Sequence, residues 1–169
     1  MITLQNIKVG LIGAGSIGTA HLRALSSLDG VQIVGVCDVD ESRARQRASE
    51  VGARAFTRHQ DLLDTGVEAV WICVPPFARR APVLDAAQAR VHIFAEKPLA
   101  YHLDDADAFV AAVQQAGVNH VVGYVLRHYP LFRTMQAIFA SGALGDLVSV
   151  WCRRFMPWTP RAWYGDAAL

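Results

Sequence analysis

A glycine cluster set directly behind a short aliphatic run narrows the folds open to this chain more than any other part of it. Ile7–Ile12 (IKVGLI) reads as a buried strand, and Gly13-Ala14-Gly15-Ser16-Ile17-Gly18 follows with no spacer. From Ser16 onward Ile17, Ala20, His21, Ala24, Leu25 and Leu28 recur at helical spacing, and Asp29-Gly30 ends the run. Strand, turn and helix thus come in immediate succession. In that setting the first glycine permits the tight turn, the second lets a pyrophosphate approach the backbone, and the third lets helix and strand pack closely. The helix N-terminus offers its free N–H groups to the anion. Taken alone, three glycines in an alanine-rich chain serve equally well as a tight turn and nothing more.

The next buried-looking run, Val31–Cys37, ends in Asp38, twenty residues beyond Gly18. A carboxylate at that point accepts both ribose hydroxyls of an adenosine, so the pair of signals predicts dinucleotide binding. A 2'-phosphate would meet like charge there, which favours NAD over NADP. Arg43 and Arg45 stand close enough in sequence to offset the repulsion, so NADP stays admissible and Arg43 joins the cofactor-binding candidates. The alternative role for Asp38 is to cap the turn that follows.

Strands and helices go on alternating. Asp40 or Ser42 caps a helix over about 41–51, followed by a weak strand at Arg54–Phe56 and a one-turn helix near 60–64. The apolar run 67–74 predicts a central strand, ended by Pro75-Pro76. A helix over 77–89, a strand at His92–Ala95, a helix over 103–115 and a strand over 121–125 complete the series. Asp104 and Asp105 complement the dipole in the first turn of the last of these helices. The pattern implies crossover connections and a doubly wound α/β fold with a parallel sheet covered on both faces. Residues 1–125 form that domain, and 126–169 read as the truncated start of a second α/β domain, with a helix over 131–141 and a strand-like run over 148–155. Open edges on that strand, together with Trp158, Trp163 and Tyr164, predict self-association into a homo-oligomer.

Apolar residues make up 53% of the chain and charged residues 18%, which excludes a disordered, solvating polymer. A formal net charge of +1 provides no field to recruit nucleic acid or an anionic membrane, so a small molecule is the expected partner. Cys37, Cys73 and Cys152 are odd in number and lack C-x-x-C spacing, against a disulfide framework or a zinc site and in favour of a reducing cytoplasm. Cys37 and Cys73 read as small core hydrophobes. The sequence holds no apolar run of membrane-spanning length and no signal-like N-terminus, so the chain is expected to be unexported. Six histidines without an H-x-x-x-H pair argue against a metal, and His21 is assigned to packing or surface.

Of the sixteen basic residues only Lys8 and Lys97 are lysines. Glu96-Lys97-Pro98 falls just past the fifth strand, at the carboxyl edge where open parallel sheets bind ligands. When hydride leaves a carbon, the hydroxyl on that carbon must lose its proton, and a lysine suits the exchange. The bland reading of Lys97 is a solvated side chain paired with Glu96. Pro98 admits a cis Lys97–Pro98 bond.

Read in series, IKVGLIGAGSIGTAHLRAL, VGVCDVDESRA, AVWICVPPFAR, HIFAEKPLA and VVGYVLRHYPLFRTMQAIFASGALGDLVSV resemble the successive blocks of the N-terminal half of the Gfo/Idh/MocA oxidoreductases. This is the family of glucose-fructose oxidoreductase and inositol 2-dehydrogenase. The resemblance implies an NAD(P)-binding Rossmann fold and NAD(P)-dependent oxidation or reduction of a sugar, cyclitol or related polyol carbon. It assigns Gly13, Gly15, Ser16, Ile17 and Gly18 to the pyrophosphate turn and Asp38 to the adenosine ribose. Val74, Pro75 and Pro76 become the wall near the cofactor. Glu96 and Lys97 are expected by the nicotinamide, with Lys97 as the catalytic, proton-handling group, and Arg127 is expected to enter the pocket from the second domain. Arg79 departs from the pattern, because many members carry histidine there. Members usually run well beyond this length, and their second domain adds a glycine-rich segment, an aspartate and a histidine that this chain lacks. The expectation is therefore a dehydrogenase chain truncated before the rest of its active site. The alternative is a noncatalytic NAD(H)-binding module, or a fragment that pairs with another chain.

Overall fold

The computed structural model describes residues 6–153 and 155 of the 169-residue chain. Six strands, β1 (Ile7–Ile12), β2 (Val31–Cys37), β3 (Arg54–Phe56), β4 (Ala69–Ile72), β5 (His92–Ala95) and β6 (His120–Val122), pair in parallel in the order β3-β2-β1-β4-β5-β6. Helices α1 (Ser16–Ser26), α2 (Glu41–Glu50), α3 (His59–Leu63), α4 (Arg80–Gln88) and α5 (Leu103–Ala116) make the crossovers. The order reverses between β1 and β4, and in a sheet of this kind the ligand crevice opens outside the carboxyl ends of the strands at that switch.

Both faces of the sheet are covered, as parallel pairing requires. On one face Leu11, Leu22, Val36 and Ala48 are buried with α1 and α2. On the other, Ile12, Leu62, Val70, Ile72, Ile93 and Phe109 are buried with α3, α4 and α5. Each of the leucine, valine, isoleucine and phenylalanine side chains among them contributes about 1.5–3 kcal/mol by leaving water. Asp40 caps α2 by accepting the Arg43 backbone N–H at 3.1 Å, which decides between the two cap candidates. Gly117 closes α5 in the left-handed conformation, with φ +66°.

Three expectations are corrected. The helix expected over 77–89 is broken into a 3-10 turn, Pro76–Ala78, and α4 beginning at Arg80. The Pro75-Pro76 pair sets the backbone of this turn, and Arg79 between the two pieces turns its side chain inward. The strand expected over 121–125 spans only His120–Val122, and Val125–His128 forms a 3-10 turn instead. No strand forms among the described residues of 148–155, where no neighbouring strand offers a ladder, so the edge on which self-association was argued is absent there. Trp158, Trp163 and Tyr164 lie outside the described residues.

The chain divides into two units, 1–123 and 124–169. The sheet and its helices make up the first. In the second, the turn Val125–His128 leads into α6 (Pro130–Ala140), which starts with Pro130 in its first turn, where a missing N–H costs nothing.

Candidate functional site

Gly13 follows the end of β1, and its φ of +96° is open to glycine alone at low cost. A Cβ there would lie 2.7 Å from the Val74 backbone nitrogen, so the turn after β1 and the turn after β4 touch. Gly18 is constrained as tightly, since its Cβ would fall 2.0 Å from the Gly13 carbonyl oxygen. Gly15 differs from both. Nothing stands within 4 Å of where its Cβ would be, and as N-cap of α1 it carries no side chain to satisfy the first-turn amides. Ser16 and Ile17 are exposed beside it. The backbone here presents unsatisfied N–H groups to an open space, which suits a pyrophosphate.

Asp38 stands where β2 ends and is 8% exposed. Its Oδ2 accepts the Ala14 N–H at 2.8 Å and its Oδ1 accepts the Asp40 N–H at 3.0 Å. The carboxylate therefore both anchors the glycine turn and shapes the turn into α2. Arg43 donates to both of its oxygens, each at 3.2 Å. Arg45 instead pairs with Glu41 on the outer face of α2 and takes no part.

β4 delivers Val74, Pro75 and Pro76 to the same edge, with Pro76 buried. β5 delivers Glu96 and Lys97, followed by a cis Lys97–Pro98 bond. Glu96 is 5% exposed, and its Oε2 accepts the Lys97 backbone N–H at 3.0 Å. The Lys97 side chain is exposed, and among the described residues no carboxylate forms an ion pair with it, so the bland pairing with Glu96 is not seen. Arg127 belongs to the second unit, where its guanidinium lies 6.0 Å from the Tyr124 ring centroid.

Two residues that sequence reasoning passed over sit inside this arrangement. His21 is neither surface nor mere packing, because its Nε2 lies 2.9 Å from Glu96 Oε1. Its ring rests on Phe94 at 4.9 Å, and Phe94 stacks on Trp71 at 5.4 Å. The available signal was position, since His21 follows Gly18 by one helical turn and so shares its sheet-facing side. Arg79 is 1% exposed and donates to the backbone carbonyls of Val74, Glu96 and Pro98. Its only sequence signal was the departure from the histidine of related chains.

A parallel sheet of this order, with a glycine turn behind its first strand and a carboxylate behind its second, is a dinucleotide-binding Rossmann fold. The chain belongs to the Gfo/Idh/MocA oxidoreductase family: the model of that family, an oxidoreductase family with an NAD-binding Rossmann fold, matches residues 7–124. The uncharacterized oxidoreductase YrbE of Bacillus subtilis is 34% identical over 143 residues, covering 83% of this chain and 42% of its own. An inositol 2-dehydrogenase of Acidothermus cellulolyticus is 38% identical over 149 residues, covering 86% of this chain and 44% of its own. Among solved structures, an oxidoreductase from Agrobacterium radiobacter in complex with NAD+, L-tartaric acid and magnesium superposes with a TM-score of 0.78 at 28% identity, over 84% of this chain and 42% of that one. The chain spans less than half the length of these relatives. Among the described residues no helix is long and apolar enough to cross a membrane.

Proposed function

We propose that this chain is the cofactor-binding half of an NAD-dependent oxidoreductase acting on a sugar, cyclitol or related polyol. The observation that carries the reading is the joint made by Asp38, which directly follows β2 and holds the Ala14 N–H of the glycine turn at 2.8 Å. In this reading the first-turn amides around Gly15, Ser16 and Ile17 bind the pyrophosphate, with Gly13 and Gly18 shaping the turn. Asp38 takes the adenosine ribose hydroxyls as Arg43 swings aside, and its charge favours NAD over a 2'-phosphorylated nucleotide. Val74, Pro75 and Pro76 wall the crevice.

NAD, when bound, supplies the hydride acceptor. Lys97 takes the proton of the substrate hydroxyl as that carbon is oxidised, and returns it in reduction. Glu96 holds the lysine's own N–H and stays buried behind it. Self-association is supported by the exposed apolar side chains Leu131, Met135 and Ile138 on α6. A reducing, cytoplasmic setting is supported by the free thiols Cys37, Cys73 and Cys152.

Incubation of the chain with NAD+ and a panel of inositols and hexoses, followed at the NADH absorbance, tests the proposal. Polyol-dependent reduction that is lost in Lys97→Ala while NADH binding persists is the expected result. Binding of NADH with no turnover on any polyol would instead assign the chain a noncatalytic nucleotide-binding role.

A further inference from the structure

We infer that Arg79 is the positioning residue for Lys97, its guanidinium clamping the two carbonyls that flank the lysine and tying them to the turn after β4. The inference deepens the reading of Lys97 as the proton-handling group and rests on it. Arg79 stands between the 3-10 turn Pro76–Ala78 and the start of α4, and among the described residues it is the largest of the fully buried side chains. Nη1 donates to the Glu96 and Pro98 carbonyls, with the Leu99 carbonyl 3.4 Å away, and Nη2 donates to the Val74 carbonyl at 2.9 Å. One planar fork therefore joins the loops that follow two neighbouring strands.

Lys97 is held from both sides by this contact. The carbonyl of Glu96 before it and the carbonyl of Pro98 after it face the same guanidinium nitrogen, while its own N–H is taken by Glu96 Oε2 at 3.0 Å. Its ammonium, by contrast, is left free and exposed at the crevice. A misplacement of about 1 Å in a reacting group costs on the order of a hundredfold in rate, so fixing this backbone has a consequence for chemistry.

A buried cation is costly unless it is paired and hydrogen-bonded. Burial pushes the Arg79 guanidinium below its ordinary range, and the Glu96 carboxylate beside it works in the opposite direction. Its Nε has no hydrogen-bond partner among the described residues. The side chain thus leaves one of its own donors unsatisfied while aiming the rest of the fork at the lysine loop and the Val74 turn. A lysine in its place would bring a point charge without the planar reach to span both loops.

The presence of only two lysines makes a direct test available. Reductive methylation with 13C-formaldehyde gives one dimethyl-lysine NMR signal for Lys8 and one for Lys97, apart from the terminal amine. Lys8 lies in β1, away from its carboxyl end, and serves as internal reference. Arg79→Gln is expected to shift or broaden the Lys97 signal of the nucleotide-free chain, to leave Lys8 in place, and to abolish the response of Lys97 to saturating NADH. A side chain that only adds stability would lower the unfolding midpoint without moving the Lys97 signal of the folded chain. An unchanged Lys97 signal in folded Arg79→Gln therefore overturns the inference. Should that variant fail to fold, Arg79→His, which keeps a ring N–H donor, is read in the same way. If Lys97 of the unaltered chain ignores saturating NADH, the placement of the lysine beside the nicotinamide fails, and the nucleotide-free comparison still decides the role of Arg79.

Discussion

His21 and Glu96, 75 residues apart in the chain, meet with Nε2 and Oε1 separated by 2.9 Å. The contact ties α1, whose N-terminus faces the open space above Gly15, to the end of β5, which carries Lys97. Glu96 is buried, and among the described residues its Oε1 has no hydrogen-bond partner other than His21. Replacing His21 with leucine should cost about 1–3 kcal/mol, the desolvation penalty of a buried polar group left without a partner. Urea unfolding of the variant checks this, and an unmoved midpoint would show that the contact contributes nothing.

The glycines of the turn should separate stability from binding. At Gly13 a methyl group meets both a φ of +96° and the Val74 nitrogen at 2.7 Å. Gly13→Ala is therefore expected to lower stability by more than about 1 kcal/mol. Gly15 has ordinary backbone angles, φ −67° and ψ −168°, and no atom in the way. Gly15→Ala should leave stability within about 0.5 kcal/mol. Its methyl would occupy the space proposed for the pyrophosphate, so NADH affinity should fall at least about tenfold, or 1.4 kcal/mol. Equal affinity for NADH in Gly15→Ala and the unaltered chain would count against the placement of the phosphates.

Two thiols give the fold an alkaline limit. Burial, with Asp38 adding to it, pushes Cys37 up to about 12, and burial, with Glu96 adding to it, pushes Cys73 up to about 12. Unfolded, both would ionise near 9, so between about pH 9 and 12 the unfolded chain binds fewer protons than the folded one. Stability must therefore fall as pH rises through that window, by up to about 1.4 kcal/mol per pH unit for each thiol. Urea midpoints at pH 8 and pH 10 measure the slope, which Cys73→Ala should reduce. In the folded chain at pH 8, iodoacetamide should modify exposed Cys152 and spare the other two.

Asp38 should govern the choice of nucleotide. Asp38→Asn keeps a side-chain oxygen for the Ala14 N–H but loses the charge that a 2'-phosphate would meet. It also releases Arg43, which in this structure spans both carboxylate oxygens at 3.2 Å. The ratio of NADPH to NADH affinity is expected to rise by about tenfold or more. Parallel fluorescence titrations with the two nucleotides check it, and an unchanged ratio would remove Asp38 from the ribose site.

Local pattern was enough for the strands β1, β2, β3 and β5, which form over the same short runs that the sequence marks out. It was enough for the glycine turn as well, whose geometry is set within six residues. It failed where a distant partner decides the outcome. The break between Pro76–Ala78 and α4 depends on Arg79 finding carbonyls 17 and 19 residues further on. His21 reads as an ordinary helix position until Glu96 is placed opposite it. The run over 148–155 has strand composition, yet a strand exists only where a neighbour completes its ladder, and the described residues supply none.

Isothermal titration calorimetry of the folded chain with NADH bears most directly on the claim that the carboxyl edge between β1 and β4 grips a dinucleotide. Saturable heat at one site per chain is the expected outcome. No heat with either NADH or NADPH, from material shown to be folded by circular dichroism, would contradict it.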